Sequence, residues 1–500
     1  MKKLISTIFS LAIFSSLAAC SDSNTGDMPD PGKKDYTLSV SPAAFDDVAA
    51  EETALVLTLE TNAPSWSIVR ANNNDWALPN LSVGIAGRHE IRIAVAANTG
   101  AERTTIITVK APGCDDALVT IKQNGYEAPP PPTYDDPDQM PDHIAADASG
   151  MESDAMMLAA KMKAGINIGN TLEACNNQES ADMTAWTGSE TAWGNPRITQ
   201  ELIDGYKAAG FNAVRIPTAW VCGHIADHST WKIDLAWLAR VKEVVDYCYA
   251  AGDMYAIINI HWDGGWLENN PTYARQEEVN AMQTRLWEQI AKYFRNYDEH
   301  LLFAGTNEVH YDYGNPTDEH IAVQQSFNQT FIDAVRATGG RNAYRVLVTQ
   351  TYNTNIWLGA QKHVMSEDTV EGRQMLEVHC YDPWDFCGDD ATRTSWGTDA
   401  EIETLRSQFT QLGKFYDAGV PFILGEYGAL YKPASKNNEE YMESRSKWIY
   451  YATKYAVENG YVPFVWDTGS DVMNRSTGKV HEIQQSYLNA LMRGANGEDL

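Results

Sequence analysis

Two short apolar runs in this chain each carry a glutamate at the carboxyl end: LLFAGTNE closes on Glu308, and PFILGEYG carries Glu426, 118 positions later. A carboxyl pair held about 5 Å apart is what double-displacement hydrolysis of a glycosidic bond requires, one group as acid and then base, the other as nucleophile. A separation of roughly 7 Å or more would indicate inversion instead. Other polar residues also end apolar runs: Arg215, His261, Asn307, His379, Tyr381 and Trp466. Parallel strands buried on both faces are apolar, so such groups are costly except at an open end. Together with the two glutamates they recur on six strands and mark one polar mouth, and His379 and Tyr381, two apart, point to the same face of theirs.

The elements that must position these residues follow from the pattern. GINIGNT near 165, NAVRIP near 212, MYAIINIH near 254, LLFAGTNE near 301, RVLVTQTY near 345, MLEVHCYDP near 375, PFILGEYG near 421 and YVPFVWDTG near 461 read as eight buried strands. Between them lie amphipathic segments such as LAWLARVKEVVDYCYAAG and EIETLRSQFTQLGKFYDAG, several ending in Gly, as helices tend to. Eight strand–helix units over residues 149–500 predict a (β/α)8 barrel in the α/β class, with its active site at the carboxyl ends of the strands. A doubly wound sheet would carry a Gly-rich nucleotide loop after its first strand, and GxGxxG is absent.

Residues 127–148, EAPPPPTYDDPDQMPD and the following positions, read as an extended proline-rich linker. Ahead of it, residues 36–126 alternate with period two between close turn signals, which predicts a small all-β, immunoglobulin-like sandwich without a catalytic constellation. Trp66, Trp76, Asn98-Thr99-Gly100, Arg103 to Ile107 and Ile121 to Gly125 resemble a BACON domain, a family named for a presumed carbohydrate-binding role. Trp66 and Trp76 are open to two readings, a sugar platform or core, and core is the commoner place for tryptophan in a small sandwich. The module is read as a spacer first and a binder second.

Lys2 and Lys3 precede an apolar run from Leu4 to Ala19 that is too short to span a bilayer and reads as a secretory signal. Leu17-Ala18-Ala19-Cys20 resembles the bacterial lipobox, which implies cleavage after residue 19, lipidation of Cys20 and a polar tether over 20–35. The modest acidity of that tether resembles the export signal of surface lipoproteins in Bacteroidetes, so the expected place is the outer membrane, facing the cell surface. A net charge of −29 leaves no basic stripe for nucleic acid and disfavours a polyanionic substrate, whereas 15 Trp and 24 Tyr suit a neutral polysaccharide. Apart from Cys20, six cysteines remain, without metal-ligand spacing; no metal and no cofactor are expected. Cys175 with Cys222, or Cys380 with Cys387, are open as pairings, with most of the six expected free and packed. A monomer is expected.

NAVRIP, INIHWDGGW, GTNEVH, EVHCYDPWDF, ILGEYG and FVWDTG, in this order and spacing, resemble glycoside hydrolase family 5, and most of all its subfamily 4 of endo-β-1,4-glucanases. The resemblance spans about residues 150–498. It implies Glu308 as acid/base, Glu426 as nucleophile, and Arg215, His261, Asn307, His379, Tyr381 and Trp466 as the remaining set. Many relatives have a second histidine where this chain has Trp262. On this reading Arg215 depresses the pKa of Glu426, while burial and the neighbouring carboxylate raise that of Glu308. Asn307 is a candidate to bind the sugar 2-hydroxyl, His379 and Tyr381 to position the acid and the nucleophile, and Trp466 to floor the subsite. Trp266 and Trp384 are expected as further platforms, Trp193 and Trp396 as weaker ones. The implied substrate is a plant cell-wall β-1,4-glucan with xyloglucan foremost; soluble cellulose, mixed-linkage glucan and glucomannan are the alternatives. A metal-dependent hydrolase would place His-x-His on the first strand, where this chain reads INIGNT, and a non-catalytic binder would have no need of the glutamate pair.

Overall fold

A closed ring of eight parallel strands organises the larger part of the chain: β1 (Gly165–Asn167), β2 (Ala213–Ile216), β3 (Tyr255–Asn259), β4 (Leu301–Ala304), β5 (Leu347–Gln350), β6 (Gln374–Cys380), β7 (Phe422–Tyr427) and β8 (Tyr461–Val465). Strand β8 pairs back onto β1, which closes the (β/α)8 barrel. The computed structural model describes residues 35–71, 75–126 and 136–500. The signal segment, Cys20, nearly all of the tether and the proline run lie outside those residues. The chain divides in sequence into two units, one up to Gly125 and one from Tyr126.

Helix α1 (Ala155–Lys161) precedes the barrel, and α2 (Gln200–Ala208), α3 (Leu235–Ala251), α4 (Tyr273–Tyr293), α5 (Asp318–Ala337), α6 (Ile356–Lys362), α7 (Asp399–Phe409), α8 (Glu439–Glu458) and α9 (Gln485–Asn496) follow strands β1 to β8 in turn. Local chemistry sets their ends. The Asp234 carboxylate accepts from the Ala236 amide at the start of α3, and Gly252 ends it at φ 70°. Thr398 and Glu401 form a reciprocal capping box on α7. Every residue of β2, β3, β4, β5, β7 and β8 is buried, which is why these strands read as unbroken apolar runs rather than alternating ones. The interior is filled by Ile257, Leu302, Val348, Met375, Ile423 and Phe464 among others, and Ala155 and Leu158 of α1 pack onto the same cluster. Gly165 has no side chain because the Phe464 ring lies where one would stand.

Register matters at one place. Strands β6 and β7 pair Val378 with Leu424, then shift by one residue, so that His379 stands opposite Glu426. Such a bulge re-aims side chains at the rim of a sheet.

The proline-rich linker expected over 127–148 is shorter on its carboxyl side. From Asp136 the chain lies on the barrel: Asp136 pairs with Lys232 at 2.9 Å, Met140 is buried in the barrel's core, and Ile144 bridges to Gly339. The apolar anchors Met140 and Ile144 are spaced too widely to stand out from a polar, proline-bearing background.

The first unit has two sheets. One orders Leu38–Ser41, Thr53–Thr61, Gly87–Val95 and Ala77–Pro79; the other orders Ala44–Val48, Ala117–Gln123, Arg103–Lys110, Trp66–Arg70 and Val83–Gly84. Trp66 and Trp76 belong to their shared core with 3% and 8% exposure, so neither is a surface platform. The Arg103 guanidinium covers the Trp76 ring at 4.3 Å.

Ile257→Ala, inside the barrel, is expected to cost about 3 kcal/mol of stability through lost burial and a residual cavity, measured by urea unfolding.

Candidate active site

Arg215 is the side chain to start from, because a guanidinium with no solvent exposure must be compensated on every side. It is. Nη1 donates to Glu426 Oε1 and to Asn167 Oδ1, both at 3.0 Å, and Nη2 donates to Asn307 Oδ1 at 2.8 Å. Nε faces Glu377 Oε1 at 2.9 Å as an ion pair. Asn167 is in turn fixed by donating to the carbonyl oxygens of Gly425 and Phe464. One cation from β2 therefore gathers groups from β1, β6, β7 and the segment after β4.

Around it the two glutamates have different partners. Glu426 Oε2 accepts from the Tyr381 hydroxyl at 3.1 Å, while Glu308 Oε1 lies 2.6 Å from His379 Nδ1. One carboxylate oxygen of Glu308, one of Glu426 and a ring nitrogen of His379 all lie within 4.8 Å of one another. His261 Nε2 is 3.9 Å from Glu426, and its ring runs nearly parallel to that of Trp466, 5.9 Å away. Trp466 is only partly buried, and Gly169 stays bare beneath it: a Cβ there would meet the indole at 2.7 Å.

Two cavities open from this cluster, of about 730 and 640 Å³, and both are lined by Glu308, Glu426 and Tyr313. Trp384 and Trp466 line the first, Trp262 and His261 the second. The carboxyl pair therefore sits within a groove that continues on two sides rather than at a closed end.

The family described as Cellulase (glycosyl hydrolase family 5) matches residues 176–472. The chain belongs to glycosyl hydrolase family 5. Within this family 5 chain, residues 66–124 also match the BACON family, described as a putative binding domain. The chain is 38% identical over 461 residues to a xyloglucan-specific endo-β-1,4-glucanase of Bacteroides ovatus, covering 88% of each. It is 34% identical to endoglucanase A of Paenibacillus barcinonensis, covering 70% of this chain and 92% of that one. Among solved structures, a Bacteroides ovatus family 5 xyloglucanase in complex with a XXXG heptasaccharide superposes with a TM-score of 0.67 at 36% identity, covering 92% of this chain and all of that one. A broad-specificity endoglucanase of Ruminococcus champanellensis with bound cellotriose gives 0.60 at 33% identity, over 68% and 99%.

The electrostatics of this family 5 site reverse one expectation. Burial opposes charge on His379, but the charge of Glu426 together with hydrogen bonds that the ring donates to Glu308 and Glu377 pushes its pKa up to about 10. Burial raises Glu308 too, but the adjoining imidazolium outweighs it and holds this carboxyl below the usual range. Burial lifts Glu426 above that range, against the pull of His379 and Arg215. Glu308 up and Glu426 down was the sequence expectation. It fails because His379 is pressed against Glu308, and because Arg215 divides its charge between Glu426 and Glu377. Burial and the positive charge of Arg215 keep His261 neutral.

The structure brings Arg215, His261, Asn307, Glu308, His379, Tyr381, Glu426 and Trp466 together, and Trp384, 53% exposed, lines the same groove. Trp266 is not a platform: it is 3% exposed, and its indole donates to Asp263, whose carboxylate also takes the amides of Trp220, Val221 and Cys222. It is part of the joint between two rim loops. Trp396 is buried, and Trp193 donates to the Cys175 carbonyl and lies outside both cavities. Cys175 and Cys222 form a disulfide that links the segments after β1 and β2, whereas Cys114, Cys248, Cys380 and Cys387 are free.

Three residues escaped the sequence reading. Glu377 and Asn167 are polar groups inside buried strands, a signal that was present in MLEVH and GINIG. Glu268 gives no local signal. Its Oε2 accepts from Asn307 Nδ2 at 3.1 Å and from the Glu308 amide at 3.0 Å, and burial followed by Glu308 pushes its pKa up to about 8. Folded Glu268 thus keeps a proton that the unfolded chain has released, so its contribution to stability falls as pH rises from about 4.5 to 8. Glu268→Gln is expected to gain thermal stability relative to the wild type across pH 5 to 8; a constant difference in Tm would contradict this.

Proposed function

We propose that this protein is a retaining endo-β-1,4-glucanase whose preferred substrate is xyloglucan, with Glu426 as nucleophile and Glu308 as acid/base. One observation carries it: carboxylate oxygens of the two glutamates lie within 4.8 Å of each other, the spacing of a retaining pair rather than one that leaves room for a water between. Arg215 and Tyr381 hold one oxygen each of Glu426, so its attack on the anomeric carbon needs no reorientation. Glu308, with its side chain 29% exposed, reaches the groove where a leaving oxygen would lie. The Asn307 amide is fixed at both ends by Arg215 and Glu268, which leaves its second N–H for the sugar 2-hydroxyl, where hydrogen bonds strengthen in the transition state. Trp466 floors the site, with Trp384 and the exposed Tyr313 as outer stacking surfaces.

The groove on both sides of the pair suits internal cleavage of a long chain. Xyloglucan is favoured by the named activities of the Bacteroides ovatus and other xyloglucan-specific relatives, and by a groove wide enough to form two cavities. Unbranched glucans are the second reading, favoured by the broad-specificity endoglucanases among the neighbours. Purified enzyme is expected to release oligosaccharides from xyloglucan faster than from carboxymethylcellulose, barley β-glucan, glucomannan or xylan, with the anomeric configuration retained by NMR. Glu426→Ala is expected to lower turnover by about 10⁴-fold or more while still binding the polymer. No release from any β-glucan by the wild type would end the proposal.

For location, the Cys20 motif supports a lipid anchor with the enzyme at the outer membrane. Cys20→Ala is expected to abolish incorporation of labelled palmitate and to move the protein from the membrane fraction to the soluble one.

A further inference from the structure

His379 has a carboxylate against each ring nitrogen: Nδ1 lies 2.6 Å from Glu308 Oε1, and Nε2 lies 3.3 Å from Glu377 Oε1. A neutral imidazole has one N–H and satisfies only one of them. Glu377 decides which. It has no solvent exposure, its Oε1 also faces Arg215 Nε at 2.9 Å, and its Oε2 accepts from the Gln350 amide at 2.7 Å. Gln350 is fixed in turn, because its carbonyl oxygen accepts from the Thr306 amide and hydroxyl, two residues before Glu308. Burial works against charge on Glu377, but Arg215 and His379 outweigh it and hold the carboxyl below the usual range. An ionised Glu377 only accepts, so Nε2 must carry a hydrogen, and the proton that can move is the one on Nδ1.

We propose that Glu377 is a positioning residue that locks the Nε2–H form of His379, and that His379 Nδ1 stores the proton which Glu308 delivers to the leaving group. This rests on Glu308 being the acid/base. In the resting site His379 is an imidazolium and Glu308 and Glu426 are carboxylates. The proton passes from Nδ1 to Glu308 and then to the glycosidic oxygen as the C–O bond breaks and Glu426 bonds to the anomeric carbon. His379 is left neutral, with Nε2–H still on Glu377. In the second step Glu308 takes a proton from water, the hydroxide oxygen bonds to the anomeric carbon, Glu426 leaves as a carboxylate, and the proton returns from Glu308 to Nδ1. The net charge of the three groups is unchanged throughout. The groups facing His379 are Glu377 on its own strand, Glu308 after β4, Glu426 on β7 at 3.8 Å, Arg215 on β2, neutral His261 after β3 and the Tyr381 phenol. Three carboxylates against one other cation are what keep the stored proton in place.

The test compares kcat/KM on xyloglucan with that on 2,4-dinitrophenyl β-cellobioside, whose leaving group needs no proton. Glu377→Gln is expected to lower the polymer value by about 100-fold more than the value for the dinitrophenyl glycoside, and to move the basic limb of the polymer profile to lower pH; Glu377→Asp should recover part of the loss. Equal losses on both substrates, or an unmoved basic limb, would overturn the relay. Glu308→Ala is the control: if it too fails to spare the activated glycoside, the acid/base assignment is at fault rather than the relay. Should Glu377→Gln not fold, ¹⁵N NMR of the wild-type histidines decides. Expected is a His379 doubly protonated at pH 7 that keeps Nε2–H on alkaline titration, and a neutral Nδ1–H form would refute the proposal.

Discussion

The fully buried guanidinium of Arg215 is the constraint that the rest of the site answers to. Desolvating a permanent cation costs several kcal/mol, and the cost is recovered only if anions and carbonyl-type oxygens surround it in good geometry. The barrel supplies Glu377, Glu426, Asn167 and Asn307 from four separate places around the ring. Each is then pinned by something else: Asn167 by backbone carbonyls, Asn307 by Glu268, Glu377 by Gln350. The nucleophile inherits its position from this network rather than from its own loop, and its charge is supported without any exposed partner.

Around that centre the protein keeps the two glutamates chemically distinct. Glu426 has an arginine and a phenol for company, whereas Glu308 has a histidine and the mouth of the groove. They differ through neighbours as well as through depth, the Glu308 side chain being 29% exposed and that of Glu426 8%. A one-residue bulge between β6 and β7 is what allows it, by setting His379 opposite Glu426 while its Nδ1 still reaches Glu308.

The barrel was legible because its strands are buried on both faces and so read as apolar runs, each ending where polarity becomes affordable. That logic located Arg215, His261, Asn307, Glu308, His379, Tyr381, Glu426 and Trp466. It failed where polarity lies inside a strand and is neutralised by a distant residue, as with Glu377, Asn167 and Glu268. Tryptophans were the other weak point. Trp266 and Trp384 both follow strand ends, and only the carboxylate of Asp263 under one of them makes it core. Nor could spacing choose between the two possible cysteine pairs, since a disulfide depends on where rim loops meet. The directions of the glutamate pKa values were misjudged for a related reason: sequence showed the charges but not that His379 touches Glu308.

Gly425 lies beside Glu377, and a methyl group there would collide with the carboxylate. The two positions are thus bound in their histories. A lineage that loses the bare residue at 425 must first give up the acid at 377, and one that has already lost that acid is free to fill the space. Drift through this part of the barrel is therefore ordered in time, with the side chain leaving before the vacancy can close.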